Sequence, residues 1–147
     1  MFYQNPIHIS ESEILENYFK RIKYTGTRHV FLDNLKIIQM LHPASIPFEN
    51  VSPLVGEPVL LDLESVYSKL VLQNRGGYWF EQNLLLGYVL EKMGYTVRGI
   101  MARTLYNLPD GKDIPQTHGA AYRTGWRLVA NGCRIWRLKD PYIINYF

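Results

Sequence analysis

Two glycines ahead of a helical pattern mark the first place where this chain could do chemistry. In "NRGGYWFEQN", Asn74 to Asn83, Gly76 and Gly77 permit backbone conformations closed to other residues, so the residue after them can be thrust into a cleft at a helix N-terminus. Position 79 is that place, and it holds Trp79. A thiol there would feel the positive end of the helix dipole, which lowers its pKa and favours the thiolate. Its partner would be a histidine brought close in space and not in sequence. His118, at the end of the loop "NLPDGKDIPQTH", is the candidate, and beside that reading stands the plainer one of a polar loop end. Trp79 itself cannot act as the nucleophile, because indole has one N–H donor and no atom able to form a thioester.

Periodicity and caps indicate the elements that must position these residues. Ser10 with Glu13 forms a capping box, and Ile14, Tyr18 and Ile22 recur on one face with Leu15 and Phe19 beside them, which predicts a helix from about Glu11 to Lys23. "VFLDNLKIIQMLH" places Phe31, Leu35 and Ile38 on one stripe, and Pro43 is expected to stop it. "SIPFENVSPLVGEPV" is too rich in Pro and Gly for a helix and reads as an ordered surface loop. Asp62 caps a third helix, "LESVYSKLVLQN", which ends before Gly76. "YWFEQNLLLGYVLEKMGYTV" is helical, with Phe80, Leu84 and Tyr88 on one stripe, Leu86, Leu90 and Met93 on another, and Gly94 as the stop. "YTVRGIMARTLY" alternates as a strand, and only "HGAAYRTGWRLVANGCRIW" could supply more. Helices first and strands afterwards is an α+β plan: a helical bundle over residues 1–94, the start of a sheet or barrel over 95–118, and a remainder over 119–147.

A chain of 147 residues that is 47% hydrophobic is long enough to bury one core. It has no apolar run of about 18 residues, and "MFYQNPIHISESEI" lacks a basic segment followed by an apolar one, so neither a membrane span nor a signal peptide is expected and the cytoplasm is the default. The single cysteine, Cys133, cannot form an internal disulfide, in keeping with a reducing compartment. His8, His29 and His42 lack metal-ligand spacing and read as surface or capping residues, so no metal is expected. The net charge of +3 is unevenly placed, −1 over residues 1–118 and +4 over 119–147. In the latter segment Arg123, Arg127, Arg134, Arg137 and Lys139 alternate with Tyr122, Trp126, Trp136, Tyr142 and Tyr146, a mixture able to contact phosphates and stack on bases. A basic, aromatic tail that folds poorly has the same composition, and nucleic acid is not expected as a partner.

Three stretches carry a resemblance. "IPFEN" (Ile46 to Asn50), "KLVLQNRGGYWFEQN" (Lys69 to Asn83) and "PQTH" (Pro115 to His118) resemble the arylamine N-acetyltransferases, whose motifs read I-P-F-E-N, R-G-G-Y-C-F-E-Q-N and P-x-T-H in that order. The resemblance covers the chain from the first helix to His118. It implies a helical N-terminal domain, a β-barrel and a third domain. It also implies transfer of acetyl from acetyl-CoA to an arylamine, arylhydroxylamine or arylhydrazine through a Cys-His-Asp triad. Residue by residue, it puts the nucleophile position at Trp79 and the triad histidine at His118. Phe48 and Tyr78 are then candidates to line an aromatic acceptor pocket, with core packing as the alternative. Glu49 and Arg75 are candidates for a buried ion pair bracing the site beside Gly76 and Gly77, with separately solvated charges as the alternative.

The chain departs from the family pattern at the nucleophile and again after His118. The family's acid follows the histidine in a W-L-A-D-V-G-F-G strand, whereas here "WRLVANGCRIW" puts Asn131 or Cys133 near the place, and Asp140 lies too far along. Cys133 is no substitute nucleophile, having no identifiable helix terminus beside it. Family chains are also considerably longer, so the third domain and part of the barrel are expected to be missing. The break in resemblance coincides with the change in charge balance, and loss of the reading frame near His118 would account for both. Two function classes follow: a truncated family member with little or no activity, or a non-catalytic module that holds an aromatic ligand or a partner.

Overall fold

The computed structural model describes residues 9–97, 99–102, 118–124, 127–130 and 144–145. His8, Asn131, Cys133 and Asp140 lie outside them. Helices come first: α1 (Glu11–Arg21), α2 (Leu32–Ser45), α3 (Val51–Leu54), α4 (Leu63–Tyr67) running into a π-helical turn (Ser68–Leu72), and α5 (Trp79–Lys92). Strands β1 (Gly99–Ala102), β2 (His118–Thr124), β3 (Arg127–Ala130) and β4 (Ile144–Asn145) follow. They form one sheet in that order, with the first two pairings antiparallel and the last parallel. β2 runs past residue 118, so backbone pairing continues beyond the point where the charge balance changes. No described helix is long and apolar enough to cross a membrane.

Local chemistry sets most helix ends. Ser10 Oγ accepts the Glu13 N–H at 3.2 Å, and Lys23 at φ 56° turns the chain out of α1 two residues before the expected end. Asp62 Oδ1 accepts the Ser65 N–H at 2.8 Å, and Gly94 at φ 95° stops α5. Pro43 does not stop α2, which continues to Ser45. A proline there removes one N–H, and the Ile46 N–H still closes on the His42 carbonyl at 2.8 Å while Leu35, Ile38 and His42 hold the helix against the core. Phe31 caps α2 and is 62% exposed, so it leaves the stripe expected of it. The Pro-rich stretch expected to be all loop forms the single turn of α3.

The core is built from one face of each long helix: Tyr18 of α1 with Ile22 just after it, Ile38 of α2, Tyr67 and Leu70 around the π turn, and Leu85, Leu86 and Leu90 of α5, all fully buried. Burying each aliphatic side chain contributes roughly 1.5–3 kcal/mol. On α5 the Leu86, Leu90 and Met93 stripe faces this core, while Phe80, Leu84 and Tyr88 are half-buried. Gln39 is an anomaly: it is 1% exposed, and neither Oε1 nor Nε2 has a hydrogen-bond partner. Gln39→Leu is therefore expected to raise stability by about 1–2 kcal/mol in urea unfolding, and a loss of stability would show that the amide is satisfied in solution.

Candidate functional site

The turn that carries Trp79 is shaped by close approach, not by unusual backbone angles. Neither Gly76 nor Gly77 has a positive φ; the left-handed residue is Asn74, at φ 55°. A Cβ on Gly76 would fall 2.3 Å from the Pro47 carbonyl oxygen, and one on Gly77 would fall 2.9 Å from Leu70 Cδ1. The glycines let two chain segments touch: the Gly77 N–H donates to the Pro47 carbonyl at 3.1 Å, and the Glu49 N–H donates to the Gly77 carbonyl at 3.0 Å. Arg21 supports the turn from α1, with Nε on the Leu70 carbonyl at 3.1 Å and Nη2 on the Asn74 carbonyl at 3.2 Å.

Trp79 is the first residue of α5, half-buried, with its ring centroid 4.7 Å from that of Phe48. Tyr78 caps the helix and lies 5.8 Å from the same Phe48 ring. Phe48 is 47% exposed, which corrects the core-packing alternative for it. Glu81 Oε2 accepts the Tyr78 N–H at 2.7 Å, and the Lys69 ammonium meets both Glu81 oxygens, at 2.9 and 3.1 Å. Arg75 and Glu49 do pair, at 2.9 Å, half-buried and not sealed from water; Glu49 Oε2 also accepts the Val51 N–H at 3.2 Å.

Beneath this turn runs a buried chain of hydrogen bonds. Gln82 Nε2 donates to the Ile46 and Pro47 carbonyls, both at 2.9 Å, so its Oε1 is free to accept from His42 Nε2 at 2.7 Å. His42 Nδ1 must then accept, and the Tyr18 hydroxyl donates to it at 2.9 Å. His42 is 1% exposed, which corrects its reading as a surface or capping residue; His29 is exposed as expected. Burial pushes the His42 imidazole down to about 4 from 6.5; the Gln82 bond opposes this and the Arg21 charge adds to it.

The neutral His42 makes stability pH-dependent. Its folded value lies below its unfolded one, so between the two the unfolded chain binds more protons; the contribution is full above pH 6.5 and is lost as pH falls towards 4. Unfolding free energy is expected to drop by on the order of 2–3 kcal/mol between pH 7.5 and 4.5 through this group. Urea midpoints for the native chain and His42→Gln across that range test it: an equal slope in both would remove His42 as the source.

His118 opens β2, where it is paired with Ala102 of β1, and β2 packs against α5, the helix that begins with Trp79. A cleft of about 430 Å³ nearby is lined by Ser52, Asp62, Ser68, Lys69, Arg75 and Glu81 among others, and neither Trp79 nor Phe48 borders it. Among the described residues no group of three or more His, Cys, Asp or Glu could hold a metal ion. Sequence reasoning missed Lys69, Glu81, His42 and Gln82. Glu81 could have been found as the third residue of a helix that starts at Trp79, where a carboxylate reaches back to the N-cap. For His42 and Gln82 no local signal exists, since their partners lie on other elements.

The profile of the N-acetyltransferase family matches residues 31–122. The arylamine N-acetyltransferase of Mycobacterium tuberculosis (strain ATCC 25618 / H37Rv) is 48% identical over 106 residues, which are 71% of this chain and 38% of that protein. The solved structure of the M. tuberculosis arylamine N-acetyltransferase superposes with a TM-score of 0.71 at 43% identity, covering 78% of this chain and 45% of the other. That of the Mycobacterium marinum enzyme in complex with CoA gives 0.69 at 40% identity, over 76% and 42%. The chain spans less than half the length of the relatives it matches.

Proposed function

The chain belongs to the arylamine N-acetyltransferase family, and from that premise we propose that its own form of the site no longer accepts an acetyl group. The family reaction moves acetyl from acetyl-CoA to a thiolate and then to an arylamine, arylhydroxylamine or arylhydrazine. The observation that carries the proposal is Trp79 at the first position of α5, following the Gly76-Gly77 turn where the family motif has its cysteine. The surrounding residues fit the family part: Glu49 and Arg75 brace the turn, Phe48 and Tyr78 present aromatic rings, and His118 heads the strand beside α5. The atom that would form the thioester does not fit, because indole has no nucleophilic lone pair to offer. What remains of the family's pair is His118, which as a base is worth little without a nucleophile to deprotonate.

Intact-mass spectrometry after incubation with acetyl-CoA is the test. No acetyl adduct is expected on the folded chain, and a stable adduct mapping to Trp79, His118 or Cys133 would overturn the proposal.

The basic remainder after His118 belongs to the same reading. The family match ends at residue 122, close to where the charge balance changes, which supports a lost reading frame there. Nucleotide sequence decides the matter: if no shifted frame downstream of the His118 codon encodes a W-L-x-D-x-G-F-G-like strand, that account fails.

A further inference from the structure

We propose that His42 is a positioning residue for the start of α5: acting through the Gln82 amide, it holds the Gly76-Gly77 turn, and with it position 79, against Ile46 and Pro47. Only one arrangement of protons satisfies the buried chain beneath that turn. The Ile46 and Pro47 carbonyls can only accept, so the Gln82 NH2 group must face them, at 2.9 Å each, and its Oε1 must face away. Oε1 also only accepts, so His42 Nε2 carries the hydrogen of the 2.7 Å bond, Nδ1 is bare, and the Tyr18 hydroxyl supplies the 2.9 Å bond to it. Burial raises the Tyr18 pKa and keeps that hydroxyl protonated. The other imidazole tautomer would set a bare nitrogen against the Gln82 oxygen, and turning the amide over to meet it would set that oxygen against two carbonyls. Tyr18, His42, Ile46 and Gln82 are all buried, so bulk water cannot make up for a wrong arrangement.

The amide sits where the chain enters α5. Gln82 Nε2 also lies 3.4 Å from the Gly77 carbonyl oxygen, and the Gln82 N–H donates to the Tyr78 carbonyl at 3.0 Å. The Pro47 carbonyl that the amide holds accepts the Gly77 N–H at 3.1 Å, and the Gly77 carbonyl accepts the Glu49 N–H at 3.0 Å. From the other side the His42 carbonyl accepts the Ile46 N–H at 2.8 Å, so His42 anchors this segment by its backbone as well as by its ring. A side chain presented from a turn is only as fixed as the groups that hold the turn. The inference goes beyond the loss of acetyl transfer: it concerns what fixes position 79 whatever residue stands there, and an acetyl adduct on the native chain would leave it intact.

Amide hydrogen exchange of the full chain, read by NMR, is the test. In His42→Leu, which removes the Gln82 partner, the Gly77 and Glu49 amides are expected to exchange at least about threefold faster relative to the Leu86 and Leu90 amides. His42→Gln, whose own amide can donate from near the place of Nε2, should keep the native pattern. Ile38→Ala opens a cavity one turn earlier in α2 and should speed all four amides together. Tyr18→Phe keeps the ring and removes only the hydroxyl, so it carries the test if His42→Leu does not fold, and the same two amides should lose protection first. A second measurement follows position 79 itself, with a nitroxide label on Trp79→Cys in a Cys133→Ser background. Its electron paramagnetic resonance line should narrow when His42→Leu or Tyr18→Phe is added and not when Ile38→Ala is. The proposal is overturned if all four amides lose protection equally in His42→Leu or Tyr18→Phe, if His42→Gln behaves as His42→Leu does, or if the label responds alike to these changes and to Ile38→Ala.

Discussion

Trp79→Cys is expected to yield a thiol that alkylates readily, while acetylation of an arylamine stays on the order of ten-thousand-fold below that of a family enzyme with an intact triad. The new thiol would stand at the first position of a 14-residue helix, where the dipole presents roughly half a positive charge and favours the thiolate. Glu81 lies in the same turn and would oppose ionisation, yet Lys69 holds both its oxygens and largely cancels that charge. Ionisation is therefore the easier half of the repair. A working triad also needs a carboxylate to hold the imidazole in the right tautomer and to stabilise the imidazolium, and on the proposed reading Asn131 or Cys133 stands near the place of that acid. The measurement pairs iodoacetamide labelling with acetyl-CoA-dependent aniline acetylation, in a Cys133→Ser background so that one thiol is read. Robust turnover from this substitution would show that residues 119–147 support catalysis, and the frame-loss account would fail with it.

The parts of this molecule that depend on neighbours in sequence were legible, and those that depend on neighbours in space were not. Ser10, Asp62 and Gly94 act within one turn of themselves, so their residue types alone predict the caps and the stop. Pro43 misleads because the missing N–H is a local fact while the packing that outweighs it is not. The same holds for the glycines of the site: composition suggests unusual torsions, but the requirement is set by the Pro47 carbonyl, from another segment of the chain. The π-helical turn at Ser68–Leu72 leaves no mark in periodicity that separates it from an ordinary helix end. Trp79, Tyr78 and Arg75 share one stretch of sequence and Phe48 and Glu49 another, and the Arg75–Glu49 pair and the Phe48 ring contacts that join the two stretches appear only in the folded chain. The polar chain from Tyr18 through His42 to Gln82 spans three helices and could be seen only once they were packed.

Lys69→Met is expected to cost about 3 kcal/mol of unfolding free energy, more than any other single brace of the site. Lys69 and Glu81 are 14% and 3% exposed and join the π-helical turn to the first turn of α5. Removing the ammonium leaves a carboxylate inside the protein with one described partner, the Tyr78 N–H, and a buried charge left so poorly compensated is strongly destabilising. Glu81→Gln should cost less, about 1–2 kcal/mol, because an amide oxygen still accepts the Tyr78 N–H and the stranded ammonium of Lys69, 14% exposed against 3% for Glu81, is the less buried of the two charges. The double variant Lys69→Met/Glu81→Gln should then be more stable than Lys69→Met alone, since no uncompensated charge remains, and urea unfolding of all four chains gives the coupling directly. A cost below about 1 kcal/mol for Lys69→Met, or simple additivity in the cycle, would show that the pair is solvated and does not brace the site. Hydrogen exchange separates a local effect from a global one: Glu81 caps the turn that presents Trp79, so the Tyr78 amide should lose protection ahead of the Leu86 and Leu90 amides further along α5. Equal loss at all three positions would mean that the pair stabilises the fold as a whole and does not hold position 79 in place.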